Sequence, residues 1–506
     1  MLPSTPPSID ELRLYVDSNK KSYYLLAIPS LLLLVIGMCL FIFLKPGFII
    51  FLPWLLLFVL YLSMSYYIGI NGKNFSFETH SIFVEWFKYE APDVDVFIPC
   101  CGENINVIRN TIHHATQISW PNEKLHVYVL DDGKDENVKI AASLYGATYL
   151  TRKNLELRKA GNLRAAFGRT SSPFILILDC DFAARRDILL HTIPYLLADS
   201  KTAIVQTPQY FCTKSSEGWL QKGAAYVQEL FYRLVQQSRQ YMGKGAAICV
   251  GSCAVYRRQA LKPFGGTYPI NFSEDVHTGY QLIDHGWKIK YLPINLAKGL
   301  CPASIRQFFT QQLRWCRGSL SLCCNPMFWF SPVHVQTKLA YISGFLYYLA
   351  TGIGVFLIPL PSILMVWFAP EWVFWHNMLY YLPSFLFGTI FLAKWTRAPF
   401  GLYALQARMV SYYAHFFGIL ETLTNKEFVW IPTGVKQHAR DNYDRFINVF
   451  WIWSGLSYFL IVSGAVCHMK EITNVHFWPH IAFSSFYFFC QLRILLTAHE
   501  EARNKV

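Results

Sequence analysis

Phe174-Ile175-Leu176-Ile177-Leu178 runs without a break into Asp179-Cys180-Asp181. A short, wholly apolar run that stops at charged residues reads as a buried strand. The pattern repeats around it. Val94–Ile98 precedes a helical stretch at Val107–Thr116, Val127–Leu130 precedes Asn137–Leu144, and the quoted run precedes Ile188–Leu197. Strands alternating with helices predict an α/β domain with a mixed, largely parallel sheet. Ligands of such sheets gather beyond the carboxyl ends of the strands. Asp179-x-Asp181 falls at such an end, and so does Asp131-Asp132-Gly133, after Tyr128-Val129-Leu130.

Outside this region the chain is apolar. Of its 506 residues 17% are aromatic and only 15% charged, which fits a protein partly in a membrane. A helix needs about 20 apolar residues to cross roughly 30 Å of hydrocarbon. Tyr24–Leu44 and Phe48–Ile70, joined by Lys45-Pro46-Gly47, predict a hairpin of two spans. Leu339–Phe368, Trp372–Ala393, Phe446–Val466 and Ile472–Leu492 extend the expectation to about six. Segments 302–330 and 402–424 are too polar to cross and are expected to lie on the membrane surface. The divisions expected are a cytoplasmic tail (1–23), a transmembrane hairpin (24–70), an α/β domain (71–300), interfacial helices (301–335) and a helical channel region (336–506). Lys394, Arg397 and Arg408, with the basic α/β domain, predict a multi-pass protein whose α/β domain is cytoplasmic, in what is expected to be the plasma membrane. The net charge of +13 suits anionic lipid, and nucleic acid is not expected as a partner. Thirteen cysteines show no metal-ligand spacing and read as reduced, packed thiols.

Four further motifs accompany the two acidic strand ends: Lys159-Ala160-Gly161-Asn162 between them and, after them, Val250-Gly251-Ser252, Ser273-Glu274-Asp275, and Gln311-Gln312-Leu313-Arg314-Trp315 before Cys316-Arg317-Gly318. Each has a plain structural reading. Asp-Gly ends many turns. A basic stretch is usually a solvated face. Ser-Glu-Asp suits a helix start, and Arg-Trp suits an interfacial anchor. Their order gives them another meaning.

Three acidic sites, then Gln-x-x-Arg-Trp, then membrane spans resemble the processive family-2 glycosyltransferases, and most closely the cellulose synthase and cellulose synthase-like β-glucan synthase branch. The resemblance implies a catalytic domain of the GT-A type inserted among the spans, a UDP-sugar donor, a growing polysaccharide as acceptor and product, and Mg²⁺ or Mn²⁺. It assigns Asp131 and Asp132 to the uridine, Lys159 to the nucleotide and Asp179 to the donor. Asp181 is the metal carboxylate, since hard cations prefer oxygen. Asp275, beside Glu274, is the base for the acceptor hydroxyl. Gln311 would bind the sugar, and Arg314 would offer its rigid fork of donors to the diphosphate. Trp315, Gly251 and Ser252 would meet the acceptor. Phe428–Gly434 resembles a gating loop, with Thr433 where a lysine is usual; Gln209 stands in place of histidine and Val250 in place of cysteine. The expected reaction is inverting transfer from UDP-glucose into a β-glucan that leaves through the membrane. Chitin or hyaluronan synthesis from UDP-N-acetylglucosamine, mannan synthesis, and non-processive transfer to a lipid are the rival expectations, and a transporter with a regulatory α/β domain is the rival from another class.

Overall fold

The computed structural model describes residues 4–16, 20–211, 217–396, 401–424, 442–469 and 474–503. Seven strands form one sheet: β1 (Val94–Cys100), β2 (Leu125–Asp131), β3 (Thr148–Leu150), β4 (Phe174–Ile177), β6 (Thr202–Gln206), β7 (Ala254–Arg257) and β8 (Lys288–Tyr291). Their order is β3-β2-β1-β4-β7-β6-β8. All neighbours pair in parallel except β7, which runs antiparallel to both β4 and β6. A second, two-stranded sheet pairs β5 (Ala183–Ala184) with β9 (Ala297–Lys298).

The central strands β1 and β4 are largely apolar and fully buried because both faces of the main sheet are covered. Val94, Val96, Ile98, Phe174 and Leu176 enter one core, while Phe97, Ile175 and Ile177 enter the other. The one charge inside β1, Asp95, is fully buried. It accepts from Ser172 Oγ at 2.6 Å and pairs with Arg258 at 2.7 Å.

Among the described residues, five helices are long and apolar enough to cross a membrane: Lys20–Leu44, Pro46–Asn71, Val335–Phe368, Asn442–His468 and Trp478–Arg503. The expected count of about six is not reached exactly. The expected span at Trp372–Ala393 is instead a run of short pieces. Two 3-10 turns end at Asn377, and a helix at Met378–Leu386 continues through a π-turn at Phe387–Phe391 into Leu392–Trp395. Pro383 lies four residues before Phe387, and a proline inside a helix disturbs its bonding ladder. The run still packs along the first long helix.

Two further expectations need revision. The helix Gly401–Leu423 does not lie on an open surface; it is the central strut of the helical region, packed against Ile305–Cys323, Val335–Leu357 and Trp219–Leu230. Glycines permit that closeness: a Cβ on Gly223 would lie 2.3 Å from the Tyr403 carbonyl oxygen. Residues 4–16, expected as part of a tail, pack on the α/β domain, with Leu12, Tyr15 and Val16 buried.

Candidate active site

The ends of β1, β2 and β4 carry the first carboxylates. At the end of β2, Asp131 is buried and its oxygens are fully engaged. They accept from the backbone N–H of Gly133 (2.7 Å) and Asp135 (2.8 Å) and from Tyr149 Oη (2.9 Å). Its neighbour Asp132 is clamped by Arg152 through two parallel bonds of 2.8 and 2.7 Å. The same guanidinium donates to the carbonyls of Glu156 and Arg158, so it also holds the turn that launches the helix Arg158–Phe167. Leu157 and Arg158 take left-handed backbone angles there.

Lys159, on the first turn of that helix, points at a different set of acids. Its Nζ donates to Asp179 Oδ1 at 2.5 Å and to the Gly251 carbonyl at 3.1 Å, and lies 3.8 Å from Glu274. Burial works against its charge, but Asp179, Glu274 and Asp275 outweigh it and raise its pKa above the usual lysine value. Asp179 is fixed from behind, its N–H donating to Ser252 Oγ at 2.8 Å. The Cys180 carbonyl accepts from Thr111 at 2.7 Å. Burial, then repulsion from Asp179 and Glu103, push the Asp181 carboxyl up to about 7.

Asp275 comes from the opposite side, on the first turn of the helix Glu274–Asp284. Burial, then Glu274, push it up to about 7 as well, with Lys159 pulling the other way. A helix does start here, but Ser273 does not cap it. Ser273 adopts a left-handed conformation (φ 54°), and its hydroxyl lies where a Cβ on Gly318 would come within 1.9 Å. Gly251, at φ +74°, lies against Asp275; a Cβ there would sit 2.9 Å from its Oδ2.

The helix Ile305–Cys323 closes the site. Leu313, Cys316 and Leu320 face its packing side, and Arg317 anchors it to Glu421 at 2.6 Å. Gln311, Arg314, Trp315 and Gly318 share a face at helical spacing. Burial lowers the Arg314 pKa, against the pull of Asp179, Glu274 and Asp275. Its Nε is buried with no hydrogen-bond partner among the described residues. A buried unpaired donor is costly, and a diphosphate oxygen is the kind of acceptor that would satisfy it.

The structure thus gathers Lys159, Asp179, Gly251, Ser252, Glu274, Asp275 and Arg314 around one space, with Asp181 bordering it, and leaves Asp131 and Asp132 bound into their own turn. Thr433 and the segment Phe428–Gly434 lie outside the described residues. One contributor escaped the sequence reading: Glu103 accepts from the Cys101 N–H at 2.6 Å, is raised by burial beside Asp179, and belongs to no recognisable spacing. Gln206, which opens the stretch Gln206–Gln209 at a strand end, ties the loop before β7 to the end of β6: its Nε2 donates to the Ser252 carbonyl (2.8 Å), and its Oε1 accepts from the Val250 N–H (3.0 Å).

Over residues 92–318 the chain matches the family described as Glycosyltransferase like family 2. The cellulose synthase 1 catalytic subunit (UDP-forming) of Komagataeibacter xylinus is 35% identical over 260 residues, 50% of this chain and 34% of that protein. The catalytic subunit from Xanthomonas axonopodis pv. citri is 34% identical over 262 residues, 51% and 36% of the two chains. The chain therefore spans about a third of the length of these relatives. Among solved structures, a mannosyltransferase of Pyrobaculum calidifontis in complex with GDP-Man and Mn²⁺ aligns with TM-score 0.45 at 16% identity, over 73% of this chain and all of that one. A Mycobacterium tuberculosis glucosyl-3-phosphoglycerate synthase aligns at 0.33, over 50% and 86%.

Proposed function

We propose that this protein is a membrane-embedded, processive, inverting glycosyltransferase that polymerises a β-glucan from UDP-glucose and passes it across the membrane. The observation that carries the proposal is the pairing of two partly buried cations, Lys159 and Arg314, with the crowded carboxylates Asp179, Asp181, Glu274 and Asp275. Similarity to the UDP-forming cellulose synthases supports the choice of donor.

In this reading the acceptor hydroxyl hydrogen-bonds Asp275 and its oxygen attacks the anomeric carbon. Asp275 takes the proton as the new C–O bond forms and the bond to the diphosphate breaks. A carboxylate with its pKa near neutrality suits that work. Lys159 and Arg314 receive the charge that develops on the leaving UDP. The Asp179–Asp181 loop fits a divalent cation: its oxygen donors are hard, and repulsion among them raises the Asp181 pKa. Bound there, Mg²⁺ or Mn²⁺ would neutralise diphosphate charge. Asp131 and Asp132 act by shaping the nucleoside end of the pocket, and Trp315 offers a ring face to the acceptor sugar. The long helices would carry the product away, and an acceptor site beside them makes successive additions possible without release.

A panel of UDP-glucose, UDP-N-acetylglucosamine and a mannose donor, with purified protein in nanodiscs, tests the proposal. UDP release with UDP-glucose and a long β-linked glucan are expected. Turnover of UDP-N-acetylglucosamine alone would move the protein to the chitin or hyaluronan type, and short lipid-extractable product would end the processive reading.

A further inference from the structure

The segment Ser4–Val16 is short, begins in prolines and contains one helical turn, Ile9–Leu12, closed by a capping box between Ser8 and Glu11. It runs along the back of the Asp179–Asp181 loop and touches that region at each level. Ser4 Oγ donates to the Lys298 carbonyl at 3.0 Å and, at the long limit of 3.5 Å, to the carbonyl of Asp181 itself. Asn110, next to the Thr111 that holds Cys180, donates to the Ser4 carbonyl at 2.7 Å. The Pro7 carbonyl accepts from Arg185 at 2.7 Å, one residue past β5.

Glu11 is the hub. Its carboxylate accepts from Lys298 Nζ at 2.7 and 2.9 Å, from Tyr210 Oη at 3.2 Å and, through the capping box, from the Ser8 N–H at 2.8 Å. Lys298 lies on β9, whose partner β5 begins two residues after Asp181. Tyr210 follows Gln209, whose Nε2 reaches the Val250 carbonyl at 3.3 Å, on the side of the pocket that carries Gly251 and Ser252. One partly buried carboxylate therefore braces two walls of the pocket. The Leu12 carbonyl and the Glu11 carbonyl accept from Asn295, which anchors the far end of the strap. The first long apolar helix begins at Lys20.

We propose that Ser4–Val16 is a positioning strap, in which Glu11 and Ser4 set the Asp181 carboxylate for its cation by fixing the β5–β9 pair and the carbonyl end of the loop. The strap touches neither donor nor acceptor. Its role rests on the reading of Asp181 as the metal carboxylate, and the test separates the two.

Mn²⁺ is titrated into purified full-length protein with UDP, and free Mn²⁺ is followed by electron paramagnetic resonance. Asp181→Ala sets the baseline: if it binds Mn²⁺ as tightly as the unmodified chain, the metal reading itself is wrong. With that reading intact, Glu11→Gln is expected to weaken Mn²⁺ binding about 10–100-fold, the usual worth of a group orienting a metal ligand. Ser4→Ala should cost about 2–10-fold, the worth of one net hydrogen bond. Excess Mn²⁺ should restore kcat in both, with the donor KM at saturating metal unchanged. Arg13→Ala, which removes a side chain stacked on Phe77 at 4.0 Å, is expected to lower thermal stability and leave Mn²⁺ affinity alone. Unchanged affinity in Glu11→Gln and Ser4→Ala, or an equal loss in Arg13→Ala, would overturn the strap.

Discussion

Two acidic pairs stand at the ends of strands two places apart in the sheet, with β1 between them, and they have opposite fates. At the end of β2, every oxygen of Asp131 and Asp132 has a donor: two backbone amides, a tyrosine hydroxyl and a bidentate arginine. Beyond the end of β4, Asp179 shares Lys159 with Glu274, and Asp181 and Asp275 are pushed up toward neutrality by burial and then by other carboxylates, Asp179 and Glu103 for the one and Glu274 for the other. The first pair is a solved problem that holds a turn in shape. The second is left electrostatically unsatisfied, and a group in that condition can still bind or react.

The sharpest way to break this contrast is at Asp181. Replacing it with alanine should abolish polymer synthesis, and a chelator should silence the unmodified protein; added Mg²⁺ or Mn²⁺ should rescue only the latter. Full activity in excess chelator would remove the metal from the scheme. Asp275→Asn keeps the shape and deletes the proton acceptor. Turnover should fall about 10²–10⁴-fold, with UDP binding retained, as read by calorimetry; near-normal synthesis would reassign the base.

The β2 pair should answer differently. Arg152→Ala strands Asp132 without its partner in a nearly buried site, and breaking such a pair costs about 3–5 kcal/mol. Lower thermal stability in nanodiscs is the expected result. A variant that melts normally but no longer binds UDP would show that the pair serves the ligand directly.

The smallest effect is a pH dependence that arises on the Asp181 and Asp275 side of the comparison. Asp181 and Asp275 have folded-state pKa values of about 7, against about 3.9 for an unfolded aspartate. The folded protein then holds extra protons between those values. Their contribution to stability is full below about 4 and is lost as the pH rises through about 7. Metal-free protein should therefore melt at a lower temperature at pH 8 than at pH 5.5, and a divalent cation should narrow the gap by stabilising the ionised form. A gap that cations leave untouched would place its origin elsewhere.

Strand positions and the acidic sites were legible because they depend on neighbours in the chain: an apolar run, then carboxylates, with little between. What each carboxylate meets was not legible. The partner of Asp132 is twenty residues away, and Glu103 sits in Cys100-Cys101-Gly102-Glu103 with no spacing to mark it. The strap was read as part of a tail because its polar residues are satisfied by Lys298, Arg185 and Asn295, all distant in sequence. The span count departs from the expectation where composition and backbone disagree: Trp372–Ala393 is apolar enough to suggest a crossing, yet Pro383 and the π-turn break its regularity. The helix Gly401–Leu423 looked too polar for burial, but Gln406 and His415 find partners inside, at the Cys490 carbonyl and Thr351.

The reversed strand β7 has a consequence for how this architecture can vary. Because it runs against β4 and β6, the residues that precede it, not those that follow, arrive at the working edge of the sheet. Everything between Gln206 and Val250 is then an excursion that leaves the edge and returns to it, and Gln206 clasps the two ends together. The excursion carries the helix Trp219–Leu230, which rests on the central strut Gly401–Leu423. Closing a loop costs little more when the loop is longer. With the clasp kept and Tyr210 still bonded to Glu11, the way Trp219–Leu230 seats on the strut can vary while Gly251 and Ser252 stay in register.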